Sequence, residues 1–282
     1  MADILERVDL MNSLERANQN SNYSTYLSRM ENSYFKSSKS FLTALCKGKK
    51  VLDVGCASGT LLKPLVQLGF DVMGIDLNED AVYICKESGY NVIKCNLYDL
   101  KDTFDTIIFS SVLHEFSSYT EENRYTDLPI IAALECAYIQ LNKGGQLLIR
   151  DGIKGPNRII SVTAKSEKVV EDFKKYLNDA PMYDDTDVSI SDTIITAPAC
   201  VIKEFAYTYT WGKESYSREV NEQYGILTVE EWKNVVRHAN FTIDNVIVSS
   251  DNYIDYVSKF FVANSNVVQL FEQSTIIINA TK

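Results

Sequence analysis

A glycine turn followed about twenty positions later by an acidic residue forms the clearest candidate binding site in the sequence. Residues 51–59 read VLDVGCASG, where a short apolar run predicts a buried strand and Gly55 and Gly59 frame a turn into a helix. Such a turn lets the backbone approach a ligand closely and places the free N–H groups of a helix start beside it. These features favour a ligand that carries a carboxylate or a phosphate.

The spacing of the glycines restricts the ligand further. A dinucleotide-binding turn needs G-x-G-x-x-G, but its second and third glycines are replaced here by Ala57 and Thr60. The sequence also lacks a phosphate-binding loop of the G-x-x-x-x-G-K-[ST] type. A second apolar strand, residues 72–75, ends at Asp76, whose carboxylate can accept both hydrogen bonds of a ribose diol. The pattern therefore predicts a ribose-containing ligand without a pyrophosphate.

These residues resemble the class I (Rossmann-like) S-adenosylmethionine-dependent methyltransferases. The first motif of that family reads roughly (V/I)LDxGCGxG, which VLDVGCASG matches except at Ala57, and Asp76 matches the acidic second motif. Residues 95–100, CNLYDL, stand where the family often has G-D-A-x-D-L, so Asn96 replaces the acid that contacts adenine. We expect the carbonyl oxygen of Asn96 to accept from the adenine amino group. The resemblance covers residues 51–150 well and residues 226–282 less sharply.

The resemblance implies S-adenosylmethionine as the cofactor and S-adenosylhomocysteine as its product. We expect Asp53 to interact with the ammonium end of the cofactor, Gly55 and Gly59 to let the backbone approach it, and Asp76 to hold the ribose. The predicted cofactor-binding residues are Asp53, Gly55, Cys56, Ala57, Gly59, Asp76, Leu77, Asn96, Leu97, Ser110 and Tyr26.

Tyrosines near the N-terminus are further candidates. In the family, leading helices often lie over the cofactor, and their tyrosines can touch its methionine end. Tyr23, Tyr26 and Tyr34 fall in such a segment, although each can equally pack its helix on the core.

Residues 112–116, VLHEF, hold the candidate proton acceptor. They resemble the V-L-H-x-[WF] stretch of small-molecule O-methyltransferases, in some of which the histidine is the general base and in others structural. A hydroxyl acceptor must lose its proton, and histidine is the usual side chain for this near neutral pH. We therefore name His114, Glu115 and Asp151 as the candidate catalytic residues. Glu115 could orient His114, bind a cationic substrate group or be a solvated acid, and Asp151 could bind substrate or pair with Arg150.

Strands and helices alternate along most of the chain, which predicts an α/β fold with a doubly wound, mostly parallel seven-stranded sheet and helices on both faces. Ligands in such sheets bind beyond the carboxyl ends of the strands. We predict an N-terminal helical segment over residues 1–48 and a Rossmann-like core over 49–151 and 226–282. Residues 152–225 are predicted to form an inserted lid or substrate subdomain after strand 5.

The insertion carries three features of its own. A helix near residues 165–177 is amphipathic, and an acidic loop contains Asp184, Asp185, Asp187 and Asp192. A strand is predicted where Phe205, Tyr207, Tyr209 and Trp211 alternate, because alternation would place these aromatics on one face. That face could hold an organic or peptide-like substrate, or pack against the body of the protein.

Composition excludes several classes of protein. The formal net charge of −10 argues against a broad basic surface for nucleic acid. Six cysteines without a C-x-x-C pair, and only two histidines, argue against zinc and favour buried free thiols in a reducing compartment. Ser110 and Ser111 stand where a catechol-type magnesium site would need carboxylates, so we predict no metal.

The N-terminal residues and the absence of a long apolar run predict a cytoplasmic protein without membrane contact.

Three functions therefore compete. The favoured one is methyl transfer to a hydroxyl or amine of a small organic substrate. For a hydroxyl acceptor, His114 is the candidate base. The second is methyl transfer to a peptide, a protein or RNA, and the third is a non-catalytic protein that kept the fold. The sequence leaves the oligomeric state open, a homodimer included.

Overall fold

The computed structural model describes residues 36–183 and 187–282, and its centre is a seven-stranded sheet. The ten strands are β1 (Lys50–Val54), β2 (Asp71–Asp76), β3 (Val92–Lys94), β4 (Phe104–Ser110), β5 (Leu141–Gly152), β6 (Ile159–Thr163), β7 (Ser189–Ser191), β8 (Ile194–Pro198), β9 (Thr242–Ser249) and β10 (Thr275–Thr281). The main sheet has the order β3-β2-β1-β4-β5-β10-β9. Only β10 runs antiparallel to its neighbours, β5 and β9. The predicted doubly wound, mostly parallel sheet is confirmed.

Helices cover both faces of this sheet. They are α1 (Lys36–Leu45), α2 (Leu62–Gln67), α3 (Glu79–Glu87), α4 (Leu113–Tyr119), α5 (Leu128–Gln140), α6 (Glu167–Asp179), α7 (Ala199–Thr210), α8 (Tyr216–Glu219), α9 (Val229–His238), α10 (Tyr253–Val257) and α11 (Ser265–Glu272). Successive strand residues point to opposite faces. Val51 accordingly packs with α1, α2 and α3, whereas Leu52 packs with α4, α5 and α9.

Local capping signals in the sequence fix where two of these helices begin. The Asn78 side chain accepts hydrogen bonds from the backbone of Asp80 and Ala81 at the start of α3. At α9, Thr228 and Glu231 form a reciprocal capping box with contacts of 2.7 and 3.3 Å. Both caps agree with the sequence pattern.

The insertion builds a second hydrophobic core on its own three-stranded antiparallel sheet, β6-β8-β7. Aromatic side chains dominate this core, among them Phe173, Tyr176 and Phe205. Phe261 and Phe271, which follow β9, are buried in the same core. The packing of the insertion therefore extends beyond residues 152–225 into the segment that connects β9 and β10.

The strand predicted around Phe205 to Trp211 is wrong, because residues 199–210 form helix α7. In a helix, residues two apart lie on different sides, so the four aromatics do not share a face. Phe205 and Tyr209 pack one turn apart with ring centroids 4.5 Å from each other, whereas Tyr207 faces Tyr253. Because α7 is buried on nearly all sides, Lys203 and Glu204 included, its sequence has no exposed polar stripe to distinguish it from a strand.

Several predicted features lie outside the described residues. They are Tyr23, Tyr26, Tyr34, Asp184 and Asp185. Of the predicted N-terminal helical segment, the structure describes helix α1. The remaining acids of the acidic loop, Asp187 and Asp192, are exposed.

All six cysteines are free thiols, as predicted, but only Cys56 and Cys85 are buried. Within residues 36–183 and 187–282, none of the helices is both long enough and apolar enough to span a membrane.

Tyr207 links the insertion to the main sheet. Its hydroxyl group donates to the carbonyl oxygens of Ile153, at 3.1 Å, and Ser274, at 2.7 Å. Replacing Tyr207 by phenylalanine should lower the free energy of unfolding by about 1–2 kcal/mol, because the buried hydrogen bond of the hydroxyl group to the Ile153 and Ser274 carbonyls is lost. Urea denaturation followed by circular dichroism measures the change. Tyr83→Phe, at an exposed ring, is the matched control, and equal stability of both variants would contradict this role of Tyr207.

Candidate active site

The candidate residues gather at the carboxyl edge of the parallel strands. Asp53 lies near the end of β1, Asp76 ends β2, Ser110 ends β4 and Asp151 lies near the end of β5. Asn96 and Leu97 follow β3, Leu77 follows Asp76, and His114 and Glu115 lie in the first turn of α4. Because β2, β1, β4 and β5 are consecutive parallel neighbours, their ends meet along one edge of the sheet.

Asp76 fixes the conformation of the glycine turn (residues 55–59). One carboxylate oxygen accepts from the backbone N–H of Ala57 and the other from that of Asn78, both at 2.8 Å. Ala57 occupies the left-handed region with φ 46°, a conformation that non-glycine residues seldom adopt. Burial raises the pKa of Asp76, and the backbone donors oppose that rise. Asp76 thus holds the turn itself, in addition to presenting a carboxylate at the edge of the sheet.

Gly55 brings the glycine turn close to the start of α4. Gly55 has φ +68°, and a β carbon placed on it would lie only 2.6 Å from a methyl group of Val112. Val112 stands two residues before His114 and directly precedes α4. Only glycine allows this close approach, so the turn and the candidate proton acceptor belong to one site.

Asp53 is a buried carboxyl group with a cation nearby. Its side chain is 2% exposed, and burial raises its pKa to about 7, against the opposing charge of Lys39. Burial, together with the charge of Arg150, lowers the pKa of Lys39 to about 8. Because both groups are poorly solvated, this part of the site favours an additional positive group next to Asp53.

Asn96 has one of its two polar atoms engaged. Its carbonyl oxygen accepts from the backbone N–H of Tyr98 at 3.2 Å and caps the short 3₁₀ helix Leu97–Asp99. The amide nitrogen of Asn96 and the hydroxyl group of Ser110 are both buried and have no hydrogen-bond partner among the described residues. The carbonyl oxygen keeps a second lone pair, so its contact with adenine stays a prediction.

A buried pair, His114 and Asp151, lies beside the glycine turn. His114 Nδ1 is 2.7 Å from Asp151 Oδ1, and each residue is 2% exposed. Asp151 Oδ2 accepts from the backbone N–H groups of Leu113 and His114, at 3.0 and 3.3 Å. Arg150, which the sequence offered as one possible partner of Asp151, donates to Ser111 and Asp251.

The opposite side of the His114 ring faces Glu222, a residue of the insertion. His114 Nε2 lies 3.5 Å from Glu222 Oε2, and Tyr119 donates to Glu222 Oε1 at 2.7 Å. Arg218 Nη2 lies 3.1 Å from an oxygen of Glu222 and 3.1 Å from an oxygen of Glu115. Glu115 therefore pairs with Arg218, and the residues that orient His114 are Asp151 and Glu222.

Neither Glu222 nor Arg218 was named from the sequence. Both lie about a hundred residues beyond His114 in a segment without a recognisable motif, and only tertiary packing brings them to the site. Spacing along the chain gives no signal for such a contact.

The charges of this cluster act strongly on one another because the groups are buried. Burial by itself would lower the pKa of His114, but Asp151 and Glu222 raise it well above the usual range. Burial opposes ionisation of Glu222, yet Arg218 and His114 lower its pKa to about 2. Burial raises the pKa of Glu115 to about 7 despite Arg218. These contacts favour the protonated form of the His114 ring, which lies between Asp151 and Glu222.

Aromatic residues of the insertion cover the site. The ring of Tyr224 packs against His114 with centroids 4.6 Å apart, and its hydroxyl group donates to Glu219. Trp211 stacks at 6.5 Å from Tyr224 and packs against Ala57 and Ala81. The insertion thus touches both the glycine turn and the candidate proton acceptor.

His114, Glu115 and Glu222 also bring their ligand atoms within 4.8 Å of one another, a spacing that a metal ion could bridge. The guanidinium group of Arg218 already lies between the two glutamates and supplies the positive charge there. The predicted absence of a metal stays a prediction.

A family profile described as "Methyltransferase domain" matches residues 26–246, well over half of the chain. The chain belongs to the methyltransferase-domain family. The sequence resemblance to S-adenosylmethionine-dependent methyltransferases is confirmed.

Curated relatives match parts of this methyltransferase. The chain is 36% identical over 112 residues to the tRNA (carboxymethyluridine(34)-5-O)-methyltransferase of Xenopus tropicalis, a match that covers 39% of this chain and 16% of the relative. It is 47% identical over 49 residues to the ubiquinone biosynthesis O-methyltransferase of Methylococcus capsulatus, covering 16% of this chain and 21% of the relative. The chain therefore spans less than a quarter of the length of either relative.

A solved structure shares the fold of the methyltransferase. An S-adenosylmethionine-dependent methyltransferase from Mesorhizobium loti superimposes with a TM-score of 0.53 at 13% identity. The match covers 89% of this chain and 99% of that protein.

The residues at the sheet edge fit S-adenosylmethionine. Asp53 is a buried carboxyl group suited to the ammonium group, and Asp76 is a carboxylate suited to the ribose diol. The partnerless polar atoms of Asn96 and Ser110 can serve the adenine and the remaining polar groups.

Replacing Asp76 by alanine should weaken the binding of S-adenosylhomocysteine by about 1–3 kcal/mol, or roughly 5- to 150-fold, because charge-assisted hydrogen bonds are lost. Isothermal titration calorimetry measures the dissociation constant. Asp71→Ala, at the exposed start of the same strand, should bind as the wild type does. Near-wild-type affinity of Asp76→Ala would contradict the assignment of the ribose to Asp76.

Proposed function

We propose that this methyltransferase transfers a methyl group to a hydroxyl group of a small organic substrate, with His114 as the acceptor of the hydroxyl proton. The observation that carries this proposal is the buried Asp151–His114 pair beside the glycine turn. A histidine held in this way at the cofactor edge of the sheet has the chemistry that a hydroxyl acceptor needs.

S-adenosylmethionine supplies an electrophilic methyl group when bound. In this proposal Asp53 pairs with its ammonium group, Asp76 binds its ribose, and Gly55, Cys56, Ala57 and Gly59 form the turn against it. Leu77 and Leu97 flank the adenine as apolar walls, and Asn96 and Ser110 supply polar contacts. The contribution of the protein to such a displacement is mainly alignment and the exclusion of water.

Asp151 determines which ring nitrogen of His114 exchanges a proton with the substrate in this proposal. Because Nδ1 donates to the Asp151 carboxylate, the proton that His114 exchanges is the one on Nε2. The same carboxylate stabilises the imidazolium ion that forms when Nε2 takes a proton. The base is the neutral imidazole, so methyl transfer should increase as pH rises through the pKa of His114.

The names of the two curated relatives support oxygen as the methyl acceptor. One is named as a 5-O-methyltransferase and the other as an O-methyltransferase. An amine acceptor fits the same geometry but does not require the Asp151–His114 pair, since a neutral amine attacks without losing a proton first.

The acidity of the chain supports a small substrate over RNA. The net charge is −10, which would repel the phosphates of a nucleic acid. RNA remains the second candidate because one relative is named for a tRNA substrate.

Replacing His114 by glutamine should lower the rate of hydroxyl methylation by about 10²–10⁴-fold, because the proton acceptor is lost while the side chain stays polar. Binding of S-adenosylhomocysteine should persist. Formation of S-adenosylhomocysteine, measured with phenols, aliphatic alcohols, amines and transcribed tRNA as acceptors, provides the rates and identifies the acceptor class.

The pH profile gives a second readout of the same prediction. In the wild type, kcat/KM should rise with pH through a pKa above that of a free histidine, and the glutamine variant should lose this limb. His238→Asn, on the exposed end of α9, is the control and should behave as the wild type. A His114→Gln variant with an unchanged rate and pH profile would overturn the role of His114.

A further inference from the structure

Glu222, a residue of the insertion, lies beside the His114 ring on the side opposite Asp151. Its carboxylate Oε2 lies 3.5 Å from Nε2, the atom from which the proposed proton transfer takes place. Glu222 is 1% exposed, and Tyr119 and Arg218 hold its other oxygen at 2.7 and 3.1 Å. The position of this carboxylate is therefore fixed from two sides.

We propose that Glu222 is a positioning residue, supplied by the insertion, that holds His114 between two carboxylates and sets the pH at which His114 can accept a proton. This inference rests on the proposed role of His114, which it deepens. The insertion then does more than cover the site, because a residue outside the Rossmann-like core sets the proton affinity of the base.

The effect of Glu222 must be separated from that of the other charges around His114. Asp151 contacts the ring from β5, and Glu204 acts on it from α7. The neighbouring charged or titratable residues are Asp151 on β5, Glu204 on α7, Glu115 on α4, Arg218 and Glu219 on α8, and Glu222, Tyr224 and Tyr119 around the ring. Among these, Asp151 and Glu222 make ion-pair contacts with the imidazole nitrogens.

Arg218 gives the carboxylate of Glu222 its charge. The guanidinium group lies 3.1 Å from Glu222 Oε1, and Arg218 is 4% exposed. Water therefore screens its positive charge little, and that charge favours the ionised form of Glu222. Glu219 also pairs with Arg218, but burial raises its pKa to about 8. Of the two glutamates that share the arginine, the one that ionises more readily therefore faces His114.

Nuclear magnetic resonance of the imidazole groups tests the proposal without an activity assay. The chain has two histidines, so His238→Asn leaves His114 as the only imidazole signal, and its chemical shift can be followed against pH. In this background, Glu222→Gln should move the titration midpoint of His114 down by about one to three pH units, because an opposite charge next to the ring is removed.

Glu219→Gln is the matched control. It makes the same chemical change on the same arginine, but it replaces an acid that contacts Arg218 and Tyr224 and makes no ion pair with His114 among the described residues. The midpoint of His114 should shift by less than half as much as in Glu222→Gln. Glu222→Asp retains the negative charge at a greater distance from His114 and should give an intermediate midpoint. If the Glu222→Gln variant does not fold, this midpoint tests the role of Glu222.

An unchanged midpoint of His114 in Glu222→Gln, or an equal shift in both glutamine variants, would overturn the role of Glu222. Kinetic measurements distinguish an error in the role of Glu222 from an error in the proposed role of His114 as base. If His114 is the base, the rising limb of kcat/KM in Glu222→Gln moves down in pH together with the midpoint. If the midpoint moves and the rate does not depend on His114, Glu222 sets the charge of His114 but the proposed proton transfer is wrong.

Discussion

The carboxylate of Asp151 joins the main parts of the site. From the end of β5 it accepts the backbone N–H groups that open α4, and it binds the ring of His114. A carboxylate at the start of a helix is favoured by the helix dipole and by the free N–H groups there. Without it, the first turn of α4 would lose its cap and His114 its orientation. The geometry of the base and the local fold therefore depend on one buried interaction.

The site combines two layers that have separate hydrophobic cores. The main sheet supplies the glycine turn, the acids at the strand ends and His114. The insertion supplies Glu222 and Arg218, together with Trp211, which packs against the glycine turn. The main sheet thus holds the residues proposed for cofactor binding and proton transfer. The added layer can set the choice of substrate, as expected when sites are grafted onto a common fold.

Much of the fold follows from local sequence signals, whereas the environment of His114 does not. The apolar runs, the glycine turn and the Thr228–Glu231 cap each depend on neighbouring residues, so periodicity and capping rules find them. Helix α7 was missed because it is buried on all sides and its aromatics alternate, a pattern that helix and strand share. The contact of Asn96 with Tyr98 is local and could have been read as a capping turn. The pairing of Glu222 with His114 is long-range, and only the folded structure reveals it.

A crystal structure of the methyltransferase with S-adenosylhomocysteine tests the central claim most directly. The account predicts that the ribose binds Asp76, that the ammonium group lies beside Asp53, and that the sulfur faces the side of the site on which His114 and Glu222 lie. A complex in which the ligand binds away from the glycine turn, or in which its sulfur points away from His114, would contradict the account.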